Sequence, residues 1–207
     1  MTPIEVIASI SGLLCVWLTV KQNIWCWPIG LVQVLLYIYI FVSVKLYSDA
    51  LLQIFFVAIS IYGWHQWLHG GKNRRELRVT SINTFFNRSL WSWVAVVILV
   101  FPLMGYCMGR FLGASAPYAD AFTTVASIVA TYLMAKKYLQ CWLFWITVDV
   151  IAIGVYIYKD LYITSGLYAV FLVLATLGYK TWRKSYETDI RVGSNASAIS
   201  DYSNFGK

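Results

Sequence analysis

The chain has 207 residues, 60% of them hydrophobic and 12% charged, with a mean hydropathy of +0.67 and a net charge of +7. A soluble domain of this length carries more charge and breaks its apolar runs into amphipathic stretches, so the composition excludes a water-soluble globular protein. The basic excess does not read as a nucleic-acid surface either, because the charges lie between apolar runs rather than on one patch.

Seven segments approach the ~20 apolar residues that a helix needs to cross a bilayer core. They are Ile4–Val20, Ile24–Val42, Leu46–Leu68, Leu90–Leu112, Tyr118–Ala135, Tyr138–Tyr158 and Leu161–Thr181. The first follows "MTPIEVIASISGLL", which lacks the basic leader and small-residue cleavage site of a signal peptide, so it is expected to be retained. In the second, Asn23, Cys26, Gly30, Gln33 and Tyr37 share one helical face, with Trp25 and Trp27 at its entry. Pro28 falls in the first turn, where its missing N–H costs nothing.

The third span carries Asp49 and Gln53 one turn apart, then Phe56 and Ser60, and ends on His65 and His69. An i, i+4 histidine pair can bind metal, but no cysteine or well-placed carboxylate completes a shell, so no metal and no cofactor is expected. A basic loop over 72–88 reads as a determinant of topology that can touch anionic lipid. The fourth span is a plain apolar connector. The fifth, "DAFTTVASIVAT", presents Thr123, Thr124, Ser127 and Thr131, whose hydroxyls are expected to bond back to the preceding turn.

The sixth span holds the informative residue. Trp142, Trp145, Asp149 and Tyr156 fall on one stripe, the other faces being Leu, Val and Ile. Asp149 lies roughly 16 Å along the span, near the middle of a core about 30 Å thick. An ionisable residue at that depth marks a functional site by default, and no Lys or Arg lies deep in any span to neutralise it. A carboxylate without a built-in counter-ion suits a proton or a cationic ligand. Indole faces beside it favour a flat cationic ring, held by stacking and cation–π attraction. The seventh span places Tyr168 at the position of Gln53, and from Ser185 the chain turns polar and Ser/Asn-rich, as a disordered tail would.

With seven spans the loops alternate sides. One side receives thirteen basic residues and the other only Lys45, Arg110 and Lys159. This asymmetry predicts an N-terminus outside and a C-terminus in the cytoplasm. Shifting the chain by 115 residues aligns Leu18–Trp67 with Leu133–Trp182 and matches ten positions, among them Cys26/Cys141, Trp27/Trp142, Gly63/Gly178 and Trp67/Trp182. Spans one to three then repeat as five to seven in the same orientation, a parallel repeat of the kind transporters use. A one-residue slip within the repeat would set Gln33 opposite Asp149, matching polar with polar. The expected organisation is a first three-helix bundle over 1–69, basic loop and connector helix over 70–113, a second bundle over 114–182 and a polar tail over 183–207. The fold class is an all-α polytopic membrane protein in a 3+1+3 arrangement.

"WCWPIGLVQVLLYIYIF" leading to "LYSDALLQIFFVAISIYGWHQW", and "DAFTTVASIVATYLMAKKYLQCWLFWITVDV" leading to "LYITSGLYAVFLVLATLGYKTW", resemble the PnuC family of bacterial vitamin transporters over residues 4–182. The resemblance implies two triple-helix bundles around a substrate site in the bacterial inner membrane. It also implies facilitated diffusion, with phosphorylation in the cytosol trapping the vitamin. The family's W-x-x-W motif and the polar residue four positions beyond map onto Trp142, Trp145 and Asp149. Some nicotinamide riboside carriers have Asn at the last position, so Asp149 is a departure that leaves nicotinamide riboside and thiamine, both cationic, as alternatives. Candidate substrate-binding residues are Trp142, Trp145, Asp149, Gln33, Tyr37, Gln53, Trp27, Tyr156 and Tyr168. A proton-coupled carrier using Asp149 is a second mechanism. An intramembrane enzyme is not expected, because the spans offer no His near that carboxylate. The expected partners are the vitamin and the bilayer, without nucleic acid; a homo-oligomer is allowed, and no sequence feature sets its number.

Overall fold

The computed structural model describes residues 3–43, 47–71, 77–81, 88–111 and 116–205. Among them the chain forms seven α-helices and no strand: α1 (Pro3–Val20), α2 (Cys26–Ser43), α3 (Tyr47–His69), α4 (Arg88–Phe111), α5 (Pro117–Ala135), α6 (Cys141–Tyr158) and α7 (Tyr162–Phe205). Five of them hold a stretch long and apolar enough to cross a membrane: Cys26–Ser43, Ala50–His69, Leu90–Phe111, Cys141–Tyr158 and Tyr162–Val192. The apolar part of α1, Val6–Val20, is shorter. α5 carries Asp120 and a run of hydroxyls, and it is instead buried along much of its length through Ala121, Val125, Ala126, Val129, Ala130 and Leu133. Small residues on that face let its neighbours approach closely, the packing device of helices in lipid.

The hydroxyls of α5 behave as expected. Thr124 donates to the Asp120 carbonyl at 2.8 Å and Thr131 to that of Ser127 at 2.7 Å. Each satisfies itself within the helix and is spent there.

The turns after α1 and α5 are built alike. Gln22 and Lys137 sit in the left-handed region at φ 55° and 52°, where side chains other than Gly and Asn are uncommon. Gln22 N–H donates to the Thr19 carbonyl and Lys137 N–H to that of Met134, both at 2.9 Å. Asn23 N–H to Leu18 and Tyr138 N–H to Leu133 repeat the pattern, again at 2.9 Å. These turns delay the next helix, which is why α2 begins at Cys26 rather than Ile24 and α6 at Cys141 rather than Tyr138.

The offset of 115 residues relates the whole of α2 to α6 and the start of α3 to that of α7. No slip occurs inside the helices, so Asp149 corresponds to Val34, and Gln33 to Val148. The expected pairing of Gln33 with Asp149 is corrected by helix geometry. One inserted residue would turn everything beyond it by about 100°, taking the later contacts out of register.

α1 packs on α2, α2 on α3, α4 on α5, α5 on α6 and α6 on α7, while α1·α7 and α3·α5 contacts join the first three helices to the last three. The turns holding Lys21, Lys136 and Lys137, the segment 77–81 and the stretch of α7 around Lys184 gather at one end. Thr80 N–H donates to the Lys137 carbonyl at 3.0 Å and Leu139 N–H to that of Thr80 at 2.9 Å, pinning the segment 77–81 to the α5–α6 turn. At the other end Lys159 meets Asp120 at 3.4 Å.

α7 runs as helix through Phe205, past Ser185, where the sequence turns polar and a disordered tail is expected. Extending an existing helix adds a hydrogen bond per residue without a new nucleus, and one pair within α7 and two to other segments hold its stretch from Arg183 to Asp189. Gln22 donates to Ser185 Oγ at 2.9 Å, Arg183 meets Glu187 at 2.9 Å, and Arg78 meets Asp189 at 3.6 Å. Lys45, Lys72, Arg74, Arg75 and Lys207 lie outside the described residues, as does the Asp49 side chain.

Candidate functional site

The indoles of α2 and α6 are placed by glycines on the following helix. Trp27 lies against Gly63 of α3, and Trp142 against Gly178 of α7. A β-carbon on either glycine would occupy the ring, so a residue without one is required at both positions. Trp27 then meets Trp67 edge-on at 5.5 Å, and Trp142 meets Trp182 edge-on at 5.4 Å. Trp67 and Trp182 approach each other at 5.9 Å, closing a row of four indoles across the molecule.

The ends of this row cross over. Trp67 Nε1 donates to the Met134 carbonyl of α5 at 3.1 Å, and Trp182 Nε1 to the Thr19 carbonyl of α1 at 3.0 Å. Each tryptophan thus ties its own helix to the end of a helix in the other set of three. Trp67 and Trp182 are 2% and 0% exposed, so these bonds are made away from water, where an unmade bond is costly. Residue spacing alone did not mark this pair as part of a site. The signal available was their match to each other in the repeat.

Further along α6, Asp149 is 4% exposed. No basic side chain pairs with it among the described residues. The Tyr168 hydroxyl of α7 has Tyr156, Asp149 and Tyr37 as its polar neighbours, and the Tyr156 and Tyr168 rings lie 5.1 Å apart. Three helices therefore converge: α2 with Tyr37, α6 with Asp149 and Tyr156, and α7 with Tyr168. Trp142 to Tyr156 spans about 21 Å of helix, with Asp149 midway between the indole row and the tyrosines.

Trp145 is half-buried in this stretch. Its indole N–H, like those of Trp27 and Trp142, is buried with no acceptor among the described residues. Buried donors are nearly always paired, so three unpaired ones on two corresponding helices mark a place built to meet acceptors.

Two expected residues stand apart from this cluster. The Gln33 amide lies against Gly12 of α1, where a β-carbon would come 2.7 Å from Gln33 Nε2. It faces the α1–α2 seam. Gln53 is half-buried on α3 at the position Tyr168 holds on α7. His65 and His69 lie with tilted rings 4.9 Å apart, but no group of three metal-ligating side chains forms among the described residues. In the turn after α5, Tyr132 hydrogen-bonds the Lys136 ammonium and raises its pKa, the cation lying 5.4 Å from the ring centre.

A family model described as "Nicotinamide mononucleotide transporter" matches residues 2–184. The nicotinamide riboside transporter PnuC of Escherichia coli is 29% identical over 204 residues, covering 88% of this chain and 85% of its own. The riboflavin/roseoflavin transporter RibM of Streptomyces davaonensis is 24% identical over 179 residues, covering 86% and 83%. The crystal structure of the vitamin B3 transporter PnuC superposes with a TM-score of 0.68 at 25% identity, over 89% of this chain and 82% of that one.

Proposed function

The chain belongs to the nicotinamide mononucleotide transporter family, and from that premise we propose that it carries nicotinamide riboside through a bacterial inner membrane by facilitated diffusion. It is a transporter and not an enzyme. The observation that carries the substrate is Asp149, a buried carboxylate with no basic partner among the described residues, on the same helix as Trp145 and close to Tyr156 and Tyr168.

In this reading the pyridinium ring lies beside the indole of Trp145, with Asp149 balancing its permanent charge. Tyr37, Tyr156 and Tyr168 offer hydroxyls to the ribose, and the unpaired N–H of Trp145, with those of Trp27 and Trp142 beyond, meets substrate oxygens. Gln53 completes the wall from α3. Gln33 acts from the α1–α2 seam, by holding Gly12 at the correct distance, rather than by direct contact. Phosphorylation in the cytosol then traps the vitamin, so no ion gradient is needed.

The 3+1+3 arrangement belongs to the same proposal. It is supported by the recurrence of turns, indole–glycine seats and crossed indole bonds at one offset. The gathering of basic residues at one end supports a cytoplasmic C-terminus and an external N-terminus.

Identity to RibM makes a flavin the second reading. The two separate on charge, because a flavin is neutral where nicotinamide riboside is cationic. Binding of nicotinamide riboside, riboflavin and thiamine to purified protein, for wild type and Asp149→Ala, is the test. Loss of nicotinamide riboside binding in the variant, by about tenfold or more as for a desolvated ion contact, supports the assignment. Riboflavin bound tighter than nicotinamide riboside and indifferent to the substitution would overturn it. Uptake into proteoliposomes that survives an uncoupler separates facilitation from proton coupling through Asp149.

A further inference from the structure

At the basic end of the molecule lies a cleft of about 1140 Å³ that the transport reading leaves unused. Lys21 after α1, Arg78 of the segment 77–81, Lys137 of the α5–α6 turn and Lys184 of α7 all line it. Among the described residues one carboxylate, Asp189, faces these four cations, and it is already met by Arg78 at 3.6 Å. Lysines held apart on a convex surface are solvated separately. Here they converge from four segments onto one concavity, whose walls focus their field.

Hydrogen-bond donors accompany the charge. Thr181 and Ser185 line the same cleft on the α7 face that carries Lys184, and Thr188 beside them spends its hydroxyl on the Lys184 carbonyl at 2.9 Å. Ser185 Oγ accepts from Gln22 Nε2 at 2.9 Å, which leaves its own hydroxyl hydrogen for a further acceptor. Among these donors, several ammonium groups with a hydroxyl favour an oxyanion with more than two acceptor oxygens. Phosphate monoesters have that chemistry, carrying close to two charges and three acceptor oxygens, and the phosphodiester of an acidic lipid headgroup presents a related oxyanion with one charge.

The position of the cleft gives such a ligand a consequence. Lys21 and Gln22 follow α1, Lys184 and Ser185 are on α7, and these two helices are joined here by the Trp182–Thr19 and Gln22–Ser185 bonds. We propose that this cleft binds a phosphate-bearing anion, the headgroup of an acidic phospholipid or a soluble phosphate ester, which bridges α1 to α7 and holds the basic end of the carrier closed. Occupancy stabilises the protein and slows transport, independently of which vitamin is carried.

The test uses the full-length protein in nanodiscs of phosphatidylcholine alone, phosphatidylcholine alone with AMP added, or phosphatidylcholine mixed with phosphatidylglycerol. Thermal unfolding midpoints are measured for wild type, for the double variant Lys21→Gln/Lys184→Gln, and for Lys180→Gln, an exposed α7 lysine outside the cleft. A rise in midpoint with AMP identifies the soluble ester as ligand, and a rise with phosphatidylglycerol alone identifies the headgroup. In either case the double variant should need about tenfold more anion or more, since each lysine near an anionic surface contributes appreciably, while Lys180→Gln responds as wild type. Raising salt should erase the wild-type response. If neither anion shifts the wild type, or the double variant follows it, the proposal fails. The wild-type arms decide even if the variant does not fold. Vitamin binding on the same samples keeps this result separate from the transport reading, because Lys21 and Lys184 take no part in the vitamin site.

Discussion

Substituting Gly178 by Ala tests whether the indole row holds the fold together. The added β-carbon would stand 2.5 Å from both Cη2 and Cζ2 of Trp142, where carbon atoms prefer about 3.5–4.0 Å. The ring would have to retreat by roughly 1 Å on that spacing. It has nowhere to go, because Trp142 is 1% exposed and Trp182 closes its far side edge-on at 5.4 Å. The remaining escape is to part α6 from α7, and overpacking of this kind costs about 1–3 kcal/mol. For a chain of this size each kcal/mol lowers the unfolding midpoint by about 2–4 °C. The assay is thermal unfolding of the purified protein in detergent, with Gly154→Ala as reference, since a β-carbon there meets nothing within 4 Å. That control should match or exceed wild type, as Ala is the better helix former by up to about 1 kcal/mol. Gly63→Ala should fail as Gly178→Ala does, because Trp27 occupies the corresponding seat. Combining Gly178→Ala with Trp142→Phe should recover part of the loss, as contacting residues couple. If Gly178→Ala unfolds together with Gly154→Ala, the packing argument is wrong.

Trp182→Phe keeps an aromatic ring but removes one of the two bonds to the Thr19 carbonyl, which still accepts from Gln22 N–H; a loss of about 0.5–1.5 kcal/mol, as for one hydrogen bond, is expected in the same unfolding assay. Trp67→Phe should cost a similar amount through Met134, and a neutral result for both would remove the crossed bonds from the account. Lys159→Gln breaks a half-exposed pair with Asp120 at 3.4 Å, so stability should fall by no more than ~1 kcal/mol, with the difference from wild type vanishing in high salt. Tyr168→Phe should weaken vitamin binding with little change in the unfolding midpoint, whereas a drop in stability with unchanged binding would assign the hydroxyl to packing instead.

Much of the fold was legible before any coordinates, because helices that satisfy their own backbone are the accessible solution for apolar runs in lipid. Helix number and approximate ends followed from run length. The ends that moved, Cys26 and Cys141, moved because Gln22 and Lys137 adopt left-handed conformations that nothing in their residue types announces. The continuation of α7 past Trp182 was also hidden, since polar composition reports solubility rather than whether a helix already under way will stop.

The site was legible in part. Period-3.6 spacing put Trp142, Trp145, Asp149 and Tyr156 on one stripe, and the structure sets Asp149 and Tyr156 beside Tyr168 and Tyr37. It turned Gln33 toward Gly12, because helix register, and not the attraction of like for like, decides which residues of a repeat correspond.

Sequence alone determined the class, the run of seven helical segments, the matches at an offset of 115 residues and the isolation of one carboxylate in an apolar helix. These depend on composition and short-range periodicity, which a chain carries along its own length. Tertiary structure decided that Trp67 and Trp182 reach across to Met134 and Thr19, and that four basic segments meet around one cleft. Both facts join residues more than forty positions apart, and only the packing of whole helices sets such distances.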